Sequence, residues 1–171
     1  MTLTQKETSL LKDLKTQEEV CIEKYGMYAE RACDPQLKAL FESIKKTEER
    51  HLETVCKIMN GTEVSMPAAP SATTAAKSCT PSSCSQDSKK KDAYLCQDAL
   101  SMEKHVSSLY NTSIFEFNSP TLRDTLNHIQ KEEQNHGEEL YKYMSCNSMC
   151  WYKIPPTAQR DTLIGEFEYS T

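Results

Sequence analysis

Four stretches of the chain repeat apolar positions at steps of three and four residues, the period of a helix with one buried face. The first stripe runs Leu11, Leu14, Glu18, Cys21, Tyr25, Tyr28, Ala32 and the second Leu37, Phe41, Ile44, Glu48, His51, Val55, Met59. The third runs Cys96, Ala99, Glu103, Val106, Tyr110, Ser113, Phe117 and the fourth Leu122, Leu126, Ile129, Glu133, His136, Leu140, Met144. These stripes predict helices over about 4–32, 35–59, 91–117 and 120–145. Asp34-Pro35 and Ser119-Pro120 mark the joints between the first and last pairs, as an N-cap followed by proline at the first helical position. Asn60-Gly61 closes the second helix. Residues 60–91 are Ser, Thr, Ala and Pro with almost no large apolar side chain, and read as a connector.

The two halves repeat without a gap. A shift of 85 residues superposes Asp13 on Asp98, Glu18 on Glu103, Tyr25 on Tyr110, Pro35 on Pro120, Glu48 on Glu133, His51 on His136 and Met59 on Met144. The predicted organisation is one all-α domain: a helical hairpin (1–59), a linker (60–91), a second hairpin (92–145) and a tail (146–171). A linker of that length suits a crossover along a four-helix bundle about 35–40 Å long.

Each apolar stripe is broken by a glutamate, joined on the second and fourth helices by a histidine one turn on. Glu18 and Glu48 are 30 residues apart, as are Glu103 and Glu133, and the prolines sit near both midpoints. At 1.5 Å per residue, both members of each pair stand roughly 22 Å from the turn. Docking the hairpins therefore gathers Glu18, Glu48, His51, Glu103, Glu133 and His136 in the core. Unpaired, these groups would be costly to bury, and the carboxylates would repel. Divalent metal removes both costs. A Glu from each of two helices and Glu-x-x-His from each of the other two is the dinuclear carboxylate pattern of four-helix bundles. Carboxylates suit iron or manganese, and imidazole completes each ion's set while leaving a position open for a small oxygen species.

Other side chains read more plainly. Tyr25 and Tyr110, seven residues beyond Glu18 and Glu103, are core tyrosines, with a hydrogen bond to a ligand carboxylate or a redox-active phenol as the functional alternatives. Glu132 reads as solvated, although it stands where it could orient a histidine. His105 and His128 fall off the stripes and read as surface. Cys21 and Cys96 read as small core residues and Cys56 as peripheral.

Composition narrows the function. The 171 residues carry a net charge of −5 with both signs interspersed, which argues against a nucleic-acid or acidic-membrane partner. No run approaches a membrane span, and the first residues lack the apolar core of a secretory signal, so cytoplasmic synthesis is expected. Eight cysteines without a CxxC pair exclude the usual zinc and rubredoxin spacings and leave thiols available for crosslinking.

The ligand pattern over all four helices resembles the ferritin-like superfamily. That resemblance implies Glu18 with His51 on one metal, Glu103 with His136 on the other, and Glu48 and Glu133 bridging. Residues 96–152 carry an EKxxxxxY-type third helix, the SPTLR turn, the EEQ run and a closing YM…WY. With these features the segment resembles the coat F family of spore coat proteins, itself ferritin-like. Cys150 precedes Trp151-Tyr152 where that family typically has glycine. The resemblance implies synthesis in the mother cell, residence in the spore coat, and other coat proteins or further copies of the chain as partners. Rubrerythrin-type peroxide reduction is disfavoured by the missing rubredoxin module and by Val106 at the position of an extra glutamate. Pro155-Pro156 argues against the fifth helix of a storage cage. Two functions follow: a coat F-like protein with an iron or manganese pair acting on oxygen species or metal, in a catalase-like, ferroxidase-like or oxidase manner; or a structural, cysteine-crosslinked coat component with a vestigial site.

Overall fold

A computed structural model describes residues 2–62, 64 and 80–149. They form four helices: α1 (Gln5–Arg31), α2 (Pro35–Met59), α3 (Gln86–Ile114) and α4 (Pro120–Cys146). The local signals act as the sequence suggests. Asp34 and Ser119 cap α2 and α4 ahead of their prolines, accepting from the N–H groups of Gln36 and Leu122. Thr4 and Glu7 form a capping box at the start of α1. Gly61 follows α2 with φ 71°, a left-handed turn that glycine adopts without strain.

The third helix departs from expectation at both ends. It begins at Gln86, five residues early, because Ser85 caps it and Lys89–Lys91 tolerate a solvated first turn. It ends at Ile114, but Phe117 still packs into the core, 2% exposed, from the turn that follows. Of the tail, residues 150–171, Cys150 among them, lie outside the described residues, as does Cys79. Cys146 is disulfide-bonded.

The helices pair as α1 with α2 and α3 with α4, and the hairpins dock through α1 on α3 and α2 on α4. Both contacts are antiparallel. Tyr25 reaches Glu103 while Tyr110 reaches Glu18, and Glu48 lies beside His136 while His51 lies beside Glu133. The start of α3 therefore meets the α1–α2 turn, and the start of α1 meets the α3–α4 turn. The end of α2 and the start of α3 therefore lie at opposite ends of the bundle, as the expected crossover requires.

Acids fasten both ends. Buried Asp92 accepts from Cys33 N at 2.9 Å and from Asp34 N at 3.1 Å, so α3 ties down the α1–α2 turn. Glu7, its repeat equivalent, accepts from Asn118 N at 2.9 Å at the other end and from Thr4 N at 2.7 Å. The Thr4 backbone bond lowers the Glu7 carboxyl below its ordinary value of 4.5 against the opposing effect of burial, with help from Asn118. A lowered folded-state value makes the contribution full above the ordinary carboxylate range and lost as pH falls through it. Glu7→Gln is expected to flatten the acid side of the stability profile, read from the urea midpoint between pH 6 and 3.

Candidate metal centre

The mid-height of the bundle is where the four interrupted stripes meet. Glu18, Glu48 and Glu133 are fully buried, and Glu103 and His51 are 2% exposed. The six side chains form two overlapping groups: Glu18, Glu48, His51 and Glu133, and Glu48, Glu103, Glu133 and His136. Within each group the ligand atoms lie within 4.8 Å of one another. Glu48 and Glu133 belong to both, and each group has one further glutamate and one histidine.

The geometry has an approximate two-fold. His51 Nδ1 stands 2.9 Å from Glu133 and 3.3 Å from Glu48, whereas His136 Nδ1 stands 3.0 Å from Glu48 and 3.5 Å from Glu103. The rings lie 5.9 Å apart and nearly parallel. Proximity does not amount to hydrogen bonding. Glu18 Oε2, Glu48 Oε1, Glu103 Oε2, both Glu133 oxygens and His136 Nδ1 are buried with no well-aligned partner. Buried polar atoms are rarely left so, because each costs about 1–3 kcal/mol. Six such atoms converging in one volume fit a set of donors aimed at a cation. The set of carboxylate oxygens with one imidazole nitrogen per group is the one that iron and manganese favour.

Without a cation the cluster retains protons. Burial lifts Glu18 well above its ordinary value, reinforced by Glu133 and Glu48. Burial and the neighbouring Glu48 push Glu133 up to about 8. Burial alone would raise Glu48 too, but the adjacent His136 and His51 hold it low. His136 rises to about 10 because Glu103 and Glu48 outweigh the effect of burial. Metal would take the place of these protons.

Two tyrosines and one glutamate surround the donors. Tyr110 donates to Glu18, and Tyr25 donates to Glu103. Each phenol thus crosses from one hairpin to the glutamate of the other, which fixes that carboxylate's rotamer and ties the halves together. Tyr110→Phe is expected to fold, to lose roughly 10–100-fold in metal affinity, and to release metal faster to a chelator. Tyr25→Phe should do the same from the Glu103 side.

The glutamate is Glu132, half-buried rather than solvated as its place off the stripes suggested. It lies 2.9 Å from His51 Nε2 and 3.6 Å from His128 Nε2, and His128 is half-buried as well. By accepting a hydrogen bond from His51 Nε2–H, Glu132 would leave the Nδ1 lone pair facing the carboxylates. The glutamate doublet ahead of Glu-x-x-His was the available signal, but only the docking of α4 on α2 shows which histidine it meets. Thr47 holds the equivalent place on α2, so His136 receives no such carboxylate from the repeat.

These features can be set beside known proteins. Residues 91–155 match the Coat F domain. The matched segment includes most of α3 and all of α4, with Glu103, Glu133 and His136, while the first hairpin lies outside it. Among solved structures, a two-domain protein from Anabaena variabilis with DJ-1/ThiJ/PfpI-like and ferritin-like domains aligns with a TM-score of 0.65 at 15% identity. The alignment covers 90% of this chain and 40% of that one, so the chain spans less than half of that protein's length. At this identity the likeness establishes the fold, a ferritin-like four-helix bundle. No curated protein sequence matches the chain. No helix among the described residues is long and apolar enough to cross a membrane.

Proposed function

We propose that this Coat F-domain protein holds two divalent ions, iron or manganese, and handles oxygen species or metal in the spore coat. One observation carries the proposal: six buried donor atoms, contributed by all four helices, converge without hydrogen-bond partners of their own. Glu18 with His51 and Glu103 with His136 would each serve one ion, and Glu48 and Glu133 would bridge. A bound pair of this kind supplies Lewis acidity and, for iron or manganese, one-electron redox chemistry. The chain's own part is to exclude bulk water, to fix the carboxylates through Tyr25 and Tyr110, and to set the His51 tautomer through Glu132.

The spore coat setting rests on the Coat F match. A purely structural role is the second reading, favoured by the cysteine count and by the disulfide at Cys146. Purified protein loaded anaerobically with iron or manganese should consume hydrogen peroxide or oxidise ferrous iron, and the Glu48→Ala, Glu133→Ala double variant should do neither. Bound metal with no such turnover in the wild type would favour the structural reading.

A further inference from the structure

The repeat makes the two hairpins near-copies at the metal donors, but not on their outer faces. A groove of about 480 Å³ lies between α3 and α4, and Glu103 and Glu133 are among its lining residues. Both belong to the second donor group. Its exposed wall is mainly apolar, with hydroxyl and amide groups of Ser107, Asn111, Gln130 and Gln134 set in it, and Gln130 Nε2 donates to Ser107 O at 3.1 Å. On the α1–α2 face, Ile22 stands at the repeat position of Ser107, and Leu52 at that of Gly137. Lys45, the equivalent of Gln130, lies over Gly26, where an added Cβ would meet its Nζ at 3.5 Å.

Gly137 is the telling position. It sits in the middle of α4, where glycine is unfavourable relative to alanine. A Cβ there would meet Leu100 Cδ1 at 3.6 Å and Glu103 Cβ at 4.0 Å, ordinary contact distances. Packing therefore does not require glycine, and the missing side chain leaves the groove beside Leu100 and Glu103 unfilled. The donor sets differ in the same sense. The side chain of His136 is 8% exposed against 2% for His51, and His51 is the one braced by Glu132.

We infer that the α3–α4 groove is the route by which small uncharged molecules of hydrogen peroxide size reach the Glu103–His136 side of the cluster in preference to the Glu18–His51 side. The inference rests on the dinuclear reading for its purpose, but the route can be tested without metal. Lys104 is the only charged side chain of the lining apart from Glu103 and Glu133. With Lys104 cationic and both carboxylates buried, the groove suits a neutral molecule better than a cation.

The test places a thiol at each floor position, Glu103→Cys and Glu18→Cys, in metal-free protein. Each is treated with methyl methanethiosulfonate, a small neutral reagent, and labelling is followed by peptide mass spectrometry so that native cysteines are counted apart. Helix content is checked for both variants. The expected result is labelling at position 103 at least about tenfold faster than at 18, with Gly137→Leu removing the difference in the Glu103→Cys background. Equal rates at the two positions would overturn the inference without any need for the Gly137 variant. So would labelling of position 103 that Gly137→Leu leaves unchanged. Metal content of the wild type, measured separately, decides the dinuclear reading, so the two ideas can fail independently.

Discussion

The Glu48→Ala, Glu133→Ala double variant is expected to bind no metal and still to fold. Both carboxylates belong to both donor groups, so their loss leaves each prospective ion with one glutamate and one histidine in a buried site. The apolar stripes on either side of the two positions are untouched, so the bundle should still form. Burial and Glu48 hold the Glu133 carboxyl at about 8, a sign that the folded state disfavours its charge. Removing Glu133 relieves that conflict, but removing Glu48 takes a carboxylate partner from His51 and His136, and both truncations cost packing. The metal-free variant should therefore melt below the metal-free wild type. With metal the gap should widen. An ion present at a hundred times its dissociation constant stabilises by about 2.7 kcal/mol, so two contribute about 5 kcal/mol. For a chain of this size that raises the wild-type melting temperature by roughly 10–20 °C. The double variant should show no rise, a comparison that calorimetry with and without added metal reads directly.

Asp92→Ala is the second large effect, and it should act on the fold alone. Asp92 is fully buried and accepts from two backbone N–H groups in the α1–α2 turn. Truncation leaves both donors without a partner, and bonds to a charged acceptor are among the stronger ones. The expected loss is about 3 kcal/mol, roughly 6–12 °C in melting temperature. Asp92→Asn, which keeps one acceptor oxygen, should fall between. Asp124→Ala, on the exposed face of α4, should stay within about 0.5 kcal/mol of wild type. Metal stoichiometry in folded Asp92→Ala should be unchanged, because the turn is far from the cluster along α3.

The cluster was legible in the sequence because two periodicities coincide there. Helical spacing places Glu18, Glu48, His51 and their repeat partners on core stripes, and the 85-residue shift matches one half to the other. Equal distances from the two turns then put all six at one height. The four-helix bundle followed from the same stripes, with proline joints that the caps at Asp34 and Ser119 explain.

What stayed hidden depends on how the hairpins dock. Glu132 lies off its stripe, and its side chain meets His51 only because α4 runs antiparallel to α2. Asp92 fell at the edge of the polar connector, where a charged residue reads as solvated, yet it is buried against a turn 58 residues earlier in the chain. Its repeat partner Glu7 plays the same part at the other end, a correspondence visible at the 85-residue shift but without meaning until both ends of the bundle are seen. The roles of Tyr25 and Tyr110 were open between a plain core hydroxyl and a carboxylate partner. Each phenol proves to bond the glutamate of the opposite hairpin.

The most direct measurement is elemental analysis of the wild-type protein isolated without added metal, beside the Glu48→Ala, Glu133→Ala variant. About two iron or manganese ions per chain are expected in the wild type and none in the variant. A wild-type protein that holds no metal, even after anaerobic loading with both ions, would contradict the dinuclear centre and leave the buried carboxylates as a proton-sharing polar core.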